Sequence, residues 1–120
     1  MAKNLKYGEA NGLAVVCSHP ATPASGDPVR FGEATGVALI NEQSDGVTSV
    51  DFTPGNVWDI SVRGVDGSGN SAVALGDKLY YVDADSPPVS KKATGRFFGF
   101  AKGTVSSGAT ATIEVIKALA

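Results

Sequence analysis

Cys17 and His19 stand two residues apart, a spacing that puts a thiol and an imidazole on one face of an extended strand. Such a pair is the minimum for thiolate nucleophilic catalysis, which also needs a third group to orient the imidazole. No such group is evident, so both residues read as structural. Asp83 and Asp85, and the oxygen-rich stretch Asp66-Gly67-Ser68-Gly69-Asn70, have the look of a calcium loop. Neither is followed by the glutamate that closes such a loop, and polar turns explain both. Cys17 is the single cysteine, which excludes an internal disulfide and a cysteine-cluster metal site. Gly67-Ser68-Gly69 lacks the third glycine and following helix of a dinucleotide fingerprint, and no Gly-Lys-Ser/Thr phosphate loop occurs. Lys91, Lys92 and Arg96 lie beside Phe97, Phe98 and Phe100, a basic and aromatic mixture that small β-barrels use on single-stranded nucleic acid. Strict alternation would put Phe97 on one face and Phe98 with Phe100 on the other, so the core claims the latter two. A net charge of -2 also argues against bulk phosphate binding. The expectation from these residues is a protein with no catalytic, metal or cofactor site, no nucleic-acid partner and no enzyme activity.

The elements that must carry these residues are short. The chain has 120 residues, enough for one domain, and its 15 glycines and 6 prolines punctuate brief apolar runs. Expected strands cover 13–17, 29–31, 37–41, 47–52, 57–65, 78–82, 97–101 and 111–116. In 57–65, Trp58, Ile60 and Val62 share an apolar face. In 110–117, Ala111, Ile113, Val115 and Lys117 share one. The tail from 114 to 120 contains good helix formers and is the one place a helix is possible. The fold class is all-β, a small barrel or sandwich of about eight short strands. Residues 1–12 form an extended N-terminal arm and 13–120 a single β domain. Asp45-Gly46 and Asp66-Gly67 suit tight turns, 66–71 reads as a polar loop, and the proline-rich 18–28 as an extended connector. No apolar run approaches the ~18 residues of a membrane helix, and the N-terminus has no apolar stretch of a secretory signal.

Two segments look alike. Gly26-Asp27-Pro28-Val29-Arg30-Phe31 leads to Ala34-Thr35-Gly36-Val37-Ala38-Leu39, and Gly76-Asp77-Lys78-Leu79-Tyr80-Tyr81 leads to Ala93-Thr94-Gly95-Arg96-Phe97-Phe98-Gly99. Both read as turn, strand, turn, strand, so two similar hairpin units are expected, with Thr35-Gly36 matching Thr94-Gly95. Charge is uneven: residues 27–85 carry ten acids against three bases, whereas 86–120 carry five bases against Glu114. Such asymmetry can orient a protein on a charged partner or align subunits.

In order, Met1-Ala2-Lys3-Asn4, Ser25-Gly26-Asp27-Pro28-Val29, Gly36-Val37-Ala38-Leu39, Leu75-Gly76-Asp77-Lys78-Leu79-Tyr80-Tyr81 and Ser107-Gly108-Ala109-Thr110-Ala111-Thr112-Ile113-Glu114-Val115 resemble the capsid decoration, or cement, proteins of tailed phages. Some members of that family have been labelled recombinases, a label that the missing phosphate loop argues against here. The chain departs from the pattern at 95–100, where the second hairpin strand is Gly95-Arg96-Phe97-Phe98-Gly99-Phe100, and in a longer, proline-rich 86–92 loop. The resemblance implies a structural protein on the outer surface of the mature virion capsid, made in the host cytoplasm. Its partners would be the major capsid protein and itself, as a homotrimer at three-fold positions that bridges capsid subunits. It implies neither nucleic-acid nor membrane binding. Lys3, Asn4, Leu5, Lys6 and Tyr7 are the arm's candidates for capsid contact, by addition to a strand edge. Lys91, Lys92 and Arg96 form a candidate basic contact patch. Two other classes remain open: a virion-surface module recognising glycans or host surface through loops 66–71 or 83–89, and a small hydrolase using Cys17 and His19.

Overall fold

The structure is a computed structural model, and it describes residues 13–118. Among these there is no helix, and β-strands and turns account for the chain. The strands are β1 (Leu13–Val15), β2 (Pro28–Phe31), β3 (Ala34–Ala38), β4 (Thr48–Asp51), β5 (Val57–Arg63), β6 (Val65–Asp66), β7 (Gly69–Asn70), β8 (Lys78–Tyr81), β9 (Val89–Ser90), β10 (Arg96–Ala101) and β11 (Thr110–Lys117). Eight of them correspond to the eight read from the sequence. The three extra ones, β6, β7 and β9, are two-residue strands too short for any periodicity to reveal.

The strands form two lobes. The first is a four-stranded antiparallel sheet in the order β1-β4-β3-β2, and the second a closed barrel in the order β10-β11-β5-β9-β8. Within the barrel, β5-β11-β10-β8 repeats the order of the first lobe: first strand beside fourth, fourth beside third, third beside second. The agreement extends to single hydrogen bonds. Gly26 N–H donates to Ala38 O (2.8 Å) and Ala38 N–H to Asp27 O (2.9 Å); Gly76 N–H donates to Ala101 O (2.8 Å) and Ala101 N–H to Asp77 O (2.9 Å). In both turns the aspartate carboxylate accepts from the alanine N–H three residues back, Ala24 or Ala74. Gly26 and Gly76 occupy φ +89° and +84°, left-handed conformations that a side chain would strain. The two expected hairpin units therefore exist, with one correction of register. Val29 lies opposite Gly36 and Leu79 opposite Gly99, so Gly36-Val37-Ala38 matches Gly99-Phe100-Ala101, and not the Gly95 segment.

The shift has a physical origin. The β8–β10 register slips between Phe97 and Gly99, which makes Phe98 the extra residue of a β-bulge. A bulge breaks the two-residue alternation. Phe98 is fully buried, while Phe97 and Phe100 share the outer face with ring centroids 5.4 Å apart. The expectation that Phe100 joins Phe98 in the core is therefore wrong.

The barrel holds the larger core, built from Ile60, Val62, Leu79, Tyr81, Val89, Phe98, Ile113 and Val115 with neighbours, and the first lobe keeps Val29, Ala38 and Val50. Trp58, Ile60 and Val62 face inward as their alternation required. The helix considered for the tail is not formed through Lys117, because Thr110–Lys117 is one continuous strand paired with β5 and β10. The β-branched residues Thr110, Thr112, Ile113, Val115 and Ile116 fit the pleat, and the burial of Ile113 and Val115 outweighs any helical preference of the tail. The 66–71 loop is a small hairpin, β6 against β7. The proline-rich 86–92 loop supplies β9, which lies parallel to β5 and antiparallel to β8 and so closes the barrel. The 18–28 connector is tied down as well, with His19 bridged to Arg30 of β2.

Candidate functional site

The thiol and imidazole suggested by the sequence are turned to other partners. His19 follows β1 and sends Nδ1 to the Tyr81 hydroxyl of β8, 2.6 Å away, across the junction of the lobes. The Tyr81 side chain has no exposure, and burial with the nearby Asp83 charge pushes its pKa far above the ordinary phenol value. The hydroxyl therefore stays protonated and shares this hydrogen bond with the His19 ring nitrogen. Cys17 packs against the small core of the first lobe, where burial raises its pKa. A thiol held protonated is a poor nucleophile.

The acids are equally committed. Arg30 of β2 donates from Nε to Asp83 Oδ1 (2.8 Å) and from Nη2 to Oδ2 (2.7 Å), a two-pronged pair that also joins the lobes. The hydrogen bonds from Arg30 hold the Asp83 carboxyl below the usual range, against the effect of burial. Asp85 pairs with Lys92 at 2.9 Å. Asp66 accepts from the Ser68 and Gly69 N–H groups and so shapes the β6–β7 turn. Among the described residues no group of three or more His, Cys, Asp or Glu is arranged to hold a metal.

The candidate basic patch comes apart into three separate ties. Lys91 Nζ donates to Ser71 Oγ (2.9 Å) and Ala72 O (2.8 Å) and stands 3.5 Å from Asp77. Lys92 is held by Asp85. Arg96, at the start of β10, reaches Glu33 across the lobe junction at 3.0 Å. Each cation thus faces an acid of this same chain. The arm candidates Lys3, Asn4, Leu5, Lys6 and Tyr7 lie outside the described residues.

Two surface features remain. A cleft of about 350 Å³ opens at the lobe junction, lined by His19, Asp27, Tyr81, Asp83, Asp85 and Pro88 among others. On the outer wall of the barrel, Tyr80, Phe97, Phe100 and Ile116 lie half-buried in a row that ends at the exposed Val57. Tyr80 and Phe97 have ring centroids 5.8 Å apart, and Ile116 is opposite both Phe100 and Val57. Sequence reasoning missed this row because strict alternation sends Phe100 inward. A signal for it was the Phe97-Phe98-Gly99 triplet, where a glycine beside paired aromatics marks a possible bulge.

No helix among the described residues is long and apolar enough to cross a membrane. No curated protein and no solved structure matches the chain. A family model described as phage cement protein matches residues 8–117. The chain belongs to the phage cement protein family, a structural family of the virion capsid.

Proposed function

We propose that this cement protein binds the outer surface of the mature capsid through the major capsid protein, sits as a homotrimer at three-fold positions, and stabilises the shell by bridging neighbouring subunits. The family match over residues 8–117 is the observation that carries this reading. The committed state of its ionisable side chains agrees with a structural role, since the groups that could do chemistry tie turns and lobes together. Stabilisation follows from mass action: a ligand with affinity for the expanded lattice alone draws the equilibrium toward that lattice. The contact is assigned to Lys3, Asn4, Leu5, Lys6 and Tyr7, by addition to a strand edge. Lys91, Lys92 and Arg96 take a lesser part, through whatever donor capacity their internal pairs leave at the surface. The protein is made in the host cytoplasm and retained on the virion.

The test is quantitative mass spectrometry of gradient-purified particles from the source phage, counting this chain against the major capsid protein. A near-stoichiometric ratio is expected. A handful of copies per particle would move the protein to a vertex or receptor-binding part, and its absence from particles would overturn the reading.

A further inference from the structure

The repeat permits a comparison that a single lobe would not. In the first lobe, Arg30, Thr35, Val37 and Asp51 project from the sheet face opposite its own core of Val29, Ala38 and Val50. That outer face is covered by the second lobe. Val37 has no exposure and belongs to the barrel's core cluster, Thr35 Oγ1 donates to Phe97 O (2.8 Å), and Arg30 grips Asp83. The covering surface is one end of the barrel, whose buried cluster with Tyr81 and Phe98 takes in Val37 and whose Lys117 charge acts on Asp51.

Strand register gives the counterparts directly. Arg30 opposite Thr35 corresponds to Tyr80 opposite Phe97, and Val37 opposite Asp51 corresponds to Phe100 opposite Ile116. The second lobe's version of the covered face is therefore the row Tyr80, Phe97, Phe100 and Ile116, which is only half-buried on the outer wall of the barrel among the described residues. One residue further along each strand, Tyr81 corresponds to Phe31 and Lys117 to Phe52. The first lobe's version of the covering end is thus an aromatic pair with ring centroids 6.5 Å apart, and Phe31 is 45% exposed. One molecule therefore presents a half-buried apolar face on one lobe and a partly exposed aromatic end on the other. They are the two halves of the contact that the lobes make internally.

We propose that the row Tyr80, Phe97, Phe100 and Ile116 seats the Phe31–Phe52 end of a second copy of this chain, head to tail. Such a contact is heterologous, with different patches on the two partners, and it closes into a ring when the rotation per copy permits. The inference deepens the homotrimer of the proposed function by naming the surfaces that join its subunits. Apolar complementarity drives the contact, because the face has exchanged the Arg30, Thr35 and Asp51 of the first lobe for Tyr80, Phe97 and Ile116.

The test is sedimentation velocity on the full chain at high micromolar concentration, with Phe100→Glu as a face variant and Phe31→Glu as an end variant. Val57→Glu, at an exposed site beside the row, is a second face variant that leaves the core untouched. Circular dichroism and thermal melting verify folding of each. The wild type is expected to self-associate, and each variant to lose about tenfold or more in association constant, the effect of removing a central anchor. An equimolar mixture of Phe100→Glu and Phe31→Glu retains one intact contact per pair, so it is expected to form a dimer that grows no further. A monomeric wild type overturns the proposal, whatever the capsid measurement gives. So does association that survives Phe31→Glu, which would mean a symmetric face-to-face contact, or association that survives all three substitutions. Capsid stoichiometry is read on particles, so a failure of the cement reading is separable from a failure of this one.

Discussion

Lys117 carries an ammonium group on a side chain that is almost wholly buried. Its Nζ donates to Ala118 O and lies 5.2 Å from the centre of the Phe98 ring. Burial pulls its pKa from the ordinary 10.5 down to about 8, and the Asp51 carboxylate opposes that fall. Burial alone would raise Asp51, but hydrogen bonds from Thr53 and Asn56, with the Lys117 charge, hold its carboxyl low. The sign of the pH dependence follows from proton counting. Between about pH 8 and the ordinary 10.5 the unfolded chain keeps a proton on Lys117 that the folded chain has released, so stability rises with pH. Tyr81 acts in the other direction above its ordinary value of 10.0, where the unfolded phenol ionises and the folded one does not. Chemical denaturation is therefore expected to show stability climbing above pH 8 and turning over near pH 10. Lys117→Met is expected to abolish the climb and to stabilise the protein at pH 7 by about 1–2 kcal/mol, because a thioether of similar volume replaces a buried charge. An unchanged profile in that variant would assign the climb to other groups.

At the scale of strands, the two lobes share a device that single-letter patterns hide. Gly36 and Gly99 occupy equivalent places on β3 and β10, where a neighbouring strand comes too close for a side chain. A Cβ at Gly36 would stand 2.6 Å from Val50 Cγ1, and one at Gly99 would run into the Ile116 carbonyl. Gly36→Ala and Gly99→Ala are each expected to cost about 1–3 kcal/mol by overpacking, with Gly99→Ala the worse because its clash with backbone, the Ile116 carbonyl, is closer than that of Gly36 with the Asp51 carbonyl. Equilibrium urea unfolding measures both, and a cost near zero at Gly99 would mean that β10 and β11 can part there freely. The same glycines explain which strands were legible in the sequence. β5 and β11 alternate over seven and eight residues, so their inward faces could be read directly. β3 was expected at 37–41 and lies at 34–38, because Ala34-Thr35-Gly36 has the composition of a turn. Only the opposing lobe gives that segment a reason to be extended and buried. The Phe98 bulge was illegible because period-two reasoning has no place for an extra residue. The fate of Lys91 and Arg96 was illegible for a different reason. Their partners Ser71 and Glu33 lie 20 and 63 positions away, a distance that spacing rules do not span.

At the scale of the molecule, the lobes are joined by a polar belt around one apolar plug. Arg30–Asp83, Arg96–Glu33, His19–Tyr81 and Thr35–Phe97 surround Val37. The Arg30–Asp83 pair is only partly shielded, so its worth is modest despite its geometry. Asp83→Asn is expected to destabilise the protein by about 1 kcal/mol at low salt, and the difference should shrink as added salt screens the pair. Asp83 has a depressed folded pKa, so its contribution is present above the unfolded carboxylate value and is lost as pH falls through the folded one. Thermal melts of both proteins across salt concentrations check this, and a salt-independent difference would point to packing instead.

The order in which the lobes occur along the chain has a consequence for synthesis. Strands β1 to β4 leave the ribosome first, yet their lobe keeps three fully buried apolar residues of its own and lends Val37 to the other. The barrel that shelters Val37 cannot close until β11, ending at Lys117, has emerged to lie between β5 and β10. The nascent first lobe therefore has little reason to settle while translation continues. Both lobes become stable nearly together, once β11 has emerged, and a truncated chain lacking β11 should be cleared by host proteases and not accumulate as a half-folded domain.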